Sequence, residues 1–196
     1  MNLRHFLGLP PTPPGAIPAD APDGRTWAPG AVGHPDDPEA AAVRRIVDRL
    51  EAMPPDRARH LASYAYILAR AAAADFDMSD AETRTIERLL VEEGEVNQSQ
   101  AVVVAEIAKS MARLVGGTED YLVTRDFAER STAEERLGLL RACFVVGAAD
   151  DTISAGESSV LNEIASELGI ETSDAAALRT EFADRFSALQ ALRRNR

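Results

Sequence analysis

The stretch AADFDMSDAE, residues 73–82, returns 75 residues later as AADDTISAGE, residues 148–157. Asp75, Ser79 and Glu82 thus recur as Asp150, Ser154 and Glu157. Each copy follows an alanine-rich apolar run and precedes another helical pattern, so the chain reads as a duplicated helix–acidic turn–helix unit. The register holds on both sides of the turn. Ala65 falls on Leu140, Leu68 on Cys143, Ile86 on Leu161, Leu89 on Ile164 and the stop glycine Gly94 on Gly169. Two such hairpins can bury their apolar faces against each other about an approximate two-fold axis. The aspartates are placed at a cost, because a carboxylate at a helix C-terminus opposes the macrodipole by roughly 0.3–1 kcal/mol.

Working outward, spacings of three and four predict helices throughout. Residues 38–54 contain EAAAVRRIVDRLEAM and form a leading helix broken by Pro54 and Pro55. The domain proper, 55–196, begins with a helix from Pro55 or Asp56 to about Ala74. Further helices run over 80–93, from the cap Asn97 to about Val115, and from Thr118 to Arg130 with Tyr121, Leu122 and Phe127. Thr132-Ala-Glu-Glu135 is a capping box for the helix through Leu137, Leu140 and Phe144. After the second turn a helix carries Val160, Leu161, Ile164 and Leu168 to Gly169. Ser173 or its neighbour caps a final helix through Leu178, Phe182, Phe186 and Leu189. No stretch alternates with period two for long enough to be a strand. The expected fold is all-α, a compact bundle of about seven helices with an extra one in front.

Residues 1–37 differ in kind. Prolines at 10, 11, 13, 14, 18, 22, 29 and 35 remove backbone donors, so an extended or disordered tail is expected. Its first residues, with Phe6, Leu7 and Leu9, are too short an apolar run for a secretory signal. No run of about 18 apolar residues suggests a membrane span, and the expected compartment is the cytoplasm. The net charge of −11 argues against a nucleic-acid surface, which needs a positive stripe. The single cysteine, Cys143, reads as a core residue, and one Cys makes no disulfide or Cys/His metal site.

Ser79 with Glu82, and Ser154 with Glu157, have capping-box spacing, in which Ser accepts from the amide three residues on and Glu reaches back. An Asp in each turn can close it by bonding to an amide two residues on. Asp75, Asp77, Asp150 and Asp151 together with the glutamates still concentrate negative charge that a hard cation would relieve. An EF-hand is excluded: counting from Asp75, the sixth and twelfth places hold Asp80 and Ile86, and the second turn offers Ala155 and Leu161. A looser oxygen site made of Asp75, Asp77, Glu82, Asp150, Asp151 and Glu157 is the candidate metal site. Neither turn alone supplies enough carboxylates, so both would share one ion or the site is weak. The ion is open among Ca²⁺, Mg²⁺, Mn²⁺ and Zn²⁺.

The segment AADDTISAGESSVLNEIASELGI, with DYLVTRDFAERSTAEERLGLLRACFVVGAAD before it, resembles the TerB-like family over about residues 58–192. Glu135-Arg136-Leu137 opens the helix ahead of the turn, and the second repeat is the stronger match. This family is associated with bacterial tellurite resistance and includes part of a membrane-anchored DnaJ-like co-chaperone. The resemblance implies a seven-helix fold, no enzymatic activity, and a role in metal or stress sensing with a protein partner, membrane-associated in some members. It maps the family's acidic turns onto Asp75 with Glu82 and Asp150 with Glu157. Where the family commonly has Gly after the Asp, this chain has Phe76 and Asp151, and loss of that glycine is expected to alter the turn. No nucleophile elbow, phosphate-cradling loop or paired His ligands argue for an enzyme. A metal-free adaptor domain is the alternative function.

Overall fold

A computed structural model of the chain describes residues 45, 46, 48–73, 78–94, 96–114 and 118–194. They fall into two units, one up to Ala58 and one from Arg59 onward. In the first, the backbone is helical at 45, 46 and 48–51, the Ala52 amide donates to Asp48 O at 3.0 Å, and Leu50 is buried. The proline-rich tail lies outside the described residues.

Eight α-helices follow among the described residues: α1 Pro55–Ala72, α2 Asp80–Gly94, α3 Gln98–Leu114, α4 Thr118–Arg130, α5 Ala133–Gly147, α6 Ala155–Glu167, α7 Thr172–Glu181 and α8 Ser187–Arg194. A 3₁₀ turn, Ala183–Arg185, links the last two. Helices α1 and α2 carry the first repeat, α5 and α6 the second. The C-terminal half of the leading helix in each repeat is largely interior. Tyr64–Ala69 of α1 and Leu139, Leu140, Ala142–Phe144 and Val146 of α5 are buried. Alanine is why this works, since small side chains let neighbouring helices close in on every face.

The two repeats meet through α2 and α5. Helix α2 lies on α5 and also on α3, while α5 lies on its own partner α6 and on α7. Arg70 of α1 reaches α6, donating to Glu167 Oε1 at 3.1 Å and Glu163 Oε2 at 3.2 Å. It also donates to Thr124 Oγ1 of α4 at 3.2 Å. A guanidinium only 9% exposed needs this full set of acceptors, because burying an unpaired charge costs several kcal/mol. Repeat-related residues share the interior: Ala65 and Leu140, Leu68 and Cys143, Ile86 and Leu161 are all buried. Leu89 is half-buried where its counterpart Ile164 is fully enclosed, and Leu90 takes the inward place instead.

Local chemistry sets the boundaries. Thr132 and Glu135 form the expected capping box at α5. Asn97 does more than cap: its Oδ1 accepts from the Gln100 amide at 3.1 Å, and Gln100 Oε1 accepts from the Asn97 amide at 3.0 Å. After α6, Gly169 takes φ 66, its amide donates to Ser166 O, and the Ile170 amide donates to Ala165 O. That is a Schellman ending, which favours glycine because a Cβ is strained there. Of the three large residues on α4, Phe127 is buried whereas Tyr121 and Leu122 are exposed.

The final helix departs from expectation. It breaks at Phe182–Phe186, and its start is capped by neither Ser173 nor an adjacent hydroxyl: Glu171 is the N-cap and makes no side-chain capping bond. The break has a physical cause. Phe186 is buried with an extended backbone, and around it the Ile153 amide donates to Arg185 O at 2.7 Å and the Ser187 amide to Ile153 O at 3.0 Å. This isolated parallel bridge fastens the second acidic turn to the C-terminal segment. A continuous helix would turn those two backbone groups inward and forfeit both bonds.

Candidate site at the paired acidic turns

Each turn ends in a reciprocal cap. In the first, Ser79 Oγ accepts from the Glu82 amide at 3.2 Å and Glu82 Oε2 accepts from the Ser79 amide at 2.7 Å. In the second, Ser154 Oγ accepts from the Glu157 amide at 3.1 Å and Glu157 Oε2 accepts from the Ser154 amide at 2.7 Å. The glutamates therefore satisfy the helix ends, at about 1 kcal/mol per cap. They also do something that spacing alone does not show. Glu82 and Glu157 are only 4% and 6% exposed, and their carboxyls lie close enough for each to shift the other's proton affinity.

Two ionised carboxylates close together in a buried place repel each other, and a proton or a cation would relieve that repulsion. Burial is the main force raising the Glu157 carboxyl, to about 7, against the lowering effect of the Ser154 bonds and with the charge of Glu82 adding to the rise. Glu82 is also raised, first by burial and further by the charge of Asp150, while bonds from Ser79 and Glu157 oppose the shift. Because the caps use Oε2 on both residues, the Oε1 atoms are the ones left over. Glu157 Oε1 faces Gly147, where a Cβ would come within 3.8 Å.

The other candidate residues divide. Asp150 is exposed and its Oδ1 accepts from the Thr152 amide at 3.1 Å, the turn-closing bond expected of one Asp. Asp151 is exposed and ion-paired with Arg185. Its φ is 73: Asp151 adopts the left-handed backbone that glycine favours and that Asp tolerates better than most residues. Asp75 and Asp77 lie outside the described residues. Among the described residues, no three His, Cys, Asp or Glu side chains are grouped closely enough to hold a metal ion.

The meeting of Glu82 with Glu157 had a signal in the sequence. Each lies four residues before a core position, Ile86 and Leu161, and so on the apolar stripe of its helix. The Arg185–Asp151 pair and the buried Arg70 had none, since both depend on distant segments coming together.

These features define a class: an all-α bundle of two helix–turn–helix repeats that meet at a buried pair of capping glutamates. The model for Tellurite resistance protein TerB matches residues 60–180, and the chain belongs to the TerB family. No curated protein and no solved structure matches it. Among the described residues, no helix is long and apolar enough to cross a membrane.

Proposed function

We propose that this protein is a non-enzymatic, tellurite-resistance-related module that binds one divalent cation between its two acidic turns and passes its state to a protein partner. The observation that carries the reading is the burial of Glu82 and Glu157, one from each repeat, near enough that each carboxyl shifts the other, a concentration of charge that a cation would relieve. The leftover Oε1 atoms supply two carboxylate oxygens. The charge of Asp150 reaches Glu82, and Asp75 is its repeat-related match in sequence, so those two complete the set we assign. Asp77 and Asp151 contribute charge around it, with Asp151 engaged by Arg185. Hard oxygen donors suit Ca²⁺, Mg²⁺ or Mn²⁺ better than Zn²⁺, which prefers nitrogen and sulfur. We assign it to the cytoplasm, with the tail before residue 38 acting as a tether.

Thermal unfolding with each cation tests this. Saturable stabilisation of about 2.7 kcal/mol is expected at a hundredfold excess over Kd, and Asp75→Asn with Asp150→Asn should abolish it. Melting that ignores all four ions at millimolar level would leave the metal-free adaptor. That second reading has an observation of its own, the exposed Leu114, Tyr121 and Leu122. Under it, Leu122→Asp would weaken partner capture and cations would change nothing.

A further inference from the structure

Beside the second turn lies a cavity of about 530 Å³ between the start of α6, the end of α7, the 3₁₀ turn and the start of α8. Its walls are mostly apolar: Ile153, Ala183, Phe186, Ala188 and Leu189 line it. One charged group enters, Arg179. Its guanidinium lies 4.4 Å over the Phe186 ring and donates to Ser158 Oγ at 2.7 Å and Asn162 Oδ1 at 3.1 Å. The stack and the two bonds hold the planar group in one orientation, yet both bonded acceptors are neutral, so its charge meets no carboxylate through them. Two of its five N–H donors are used in those bonds, leaving others for a ligand. This differs from Arg70, Arg141 and Arg185, each of which binds a carboxylate.

We infer that this cavity is a binding site for a small organic monoanion, a carboxylate with a short hydrocarbon body. The fork of Arg179 matches a carboxylate in shape and charge. The volume falls within the range of small-ligand pockets, roughly 300–1,000 Å³, and the apolar wall fits hydrocarbon. A net charge of −11 on the chain disfavours polyanions such as phosphates, which singles out one negative charge combined with apolar surface. The site adjoins the glutamate pair at Ser154, the capping partner of Glu157, but neither glutamate lines it and its ligand needs no cation.

Octanoate added to the full-length protein in EDTA is the test, read by amide chemical shifts and by calorimetry. Saturable 1:1 binding is expected, with shifts concentrated at Ile153, Ser154, Ser187 and Leu189. Octylamine, of the same length and opposite charge, should bind at least about tenfold more weakly, as should octanoate to Arg179→Gln, the loss expected for a charge-assisted bond. Ala188→Trp, on an exposed wall position, should block binding while Arg179 stays in place. If Arg179→Gln fails to fold, Ala188→Trp decides the matter alone. No saturable binding of octanoate, equal binding of octylamine, or unchanged binding in a folded Ala188→Trp would each overturn the assignment.

Discussion

At the scale of single residues the protein is governed by where carboxylates go. Burial raises the Glu157 carboxyl, so its contribution to stability is greatest below its ordinary value of 4.5 and falls as pH climbs to about 7. At about 1.4 kcal/mol per unit the span bounds the effect near 3 kcal/mol, and solvent screening reduces it to about 1–2 kcal/mol. Glu157→Gln keeps the cap, because Gln also serves at the third helical position. In EDTA it should stabilise by that amount at pH 8 and by almost nothing at pH 4, measured by urea unfolding. Asp151 gives a second case at this scale. At φ 73 a β-branched residue is strained whereas glycine is at ease. Asp151→Val should cost about 2 kcal/mol, and Asp151→Gly should stay within about 0.5 kcal/mol, as the strain relieved offsets an exposed ion pair of small worth.

Among elements, helix ends were the most legible part of the sequence. Serine–glutamate and threonine–glutamate spacings mark where α2, α5 and α6 begin, because the bonds that stop a helix from fraying are local. Gly169 marks an end for the same reason, and Gly169→Ala should lose about 1 kcal/mol of stability by forcing a Cβ into left-handed backbone. What the sequence hid at this scale depends on partners far along the chain. The Phe182–Phe186 break looks like helix because the phenylalanines keep helical spacing. Only the approach of Ile153, more than thirty residues earlier, gives their backbone a better place to bond. Tyr121 and Leu122 read as apolar members of α4, yet only Phe127 turns toward the interior, where it meets His60 at 4.9 Å between ring centroids.

For the molecule as a whole, duplication is the organising fact. The bundle could be read from the 75-residue offset because most equivalent positions face the same interior, as Leu68 with Cys143 and Ile86 with Leu161 do, although Leu89 with Ile164 does not. The capping roles of Glu82 and Glu157 were legible from their spacing to Ser79 and Ser154, and their place on the apolar stripe hinted at their approach, but packing alone brings the two repeats together. Arg70 fastens the bundle across α1, α4 and α6, so Arg70→Met should cost about 3–5 kcal/mol in chemical denaturation by stranding the carboxylates that it pairs with. Under the proposed function both turns serve one ion. Calorimetric titration of Ca²⁺ or Mn²⁺ into the full-length protein tests it most directly. One ion bound per chain, with binding lost entirely on either Glu82→Gln or Glu157→Gln, is the result this account requires. Two equivalent ions per chain, half the binding surviving each substitution, or no binding at all would contradict it.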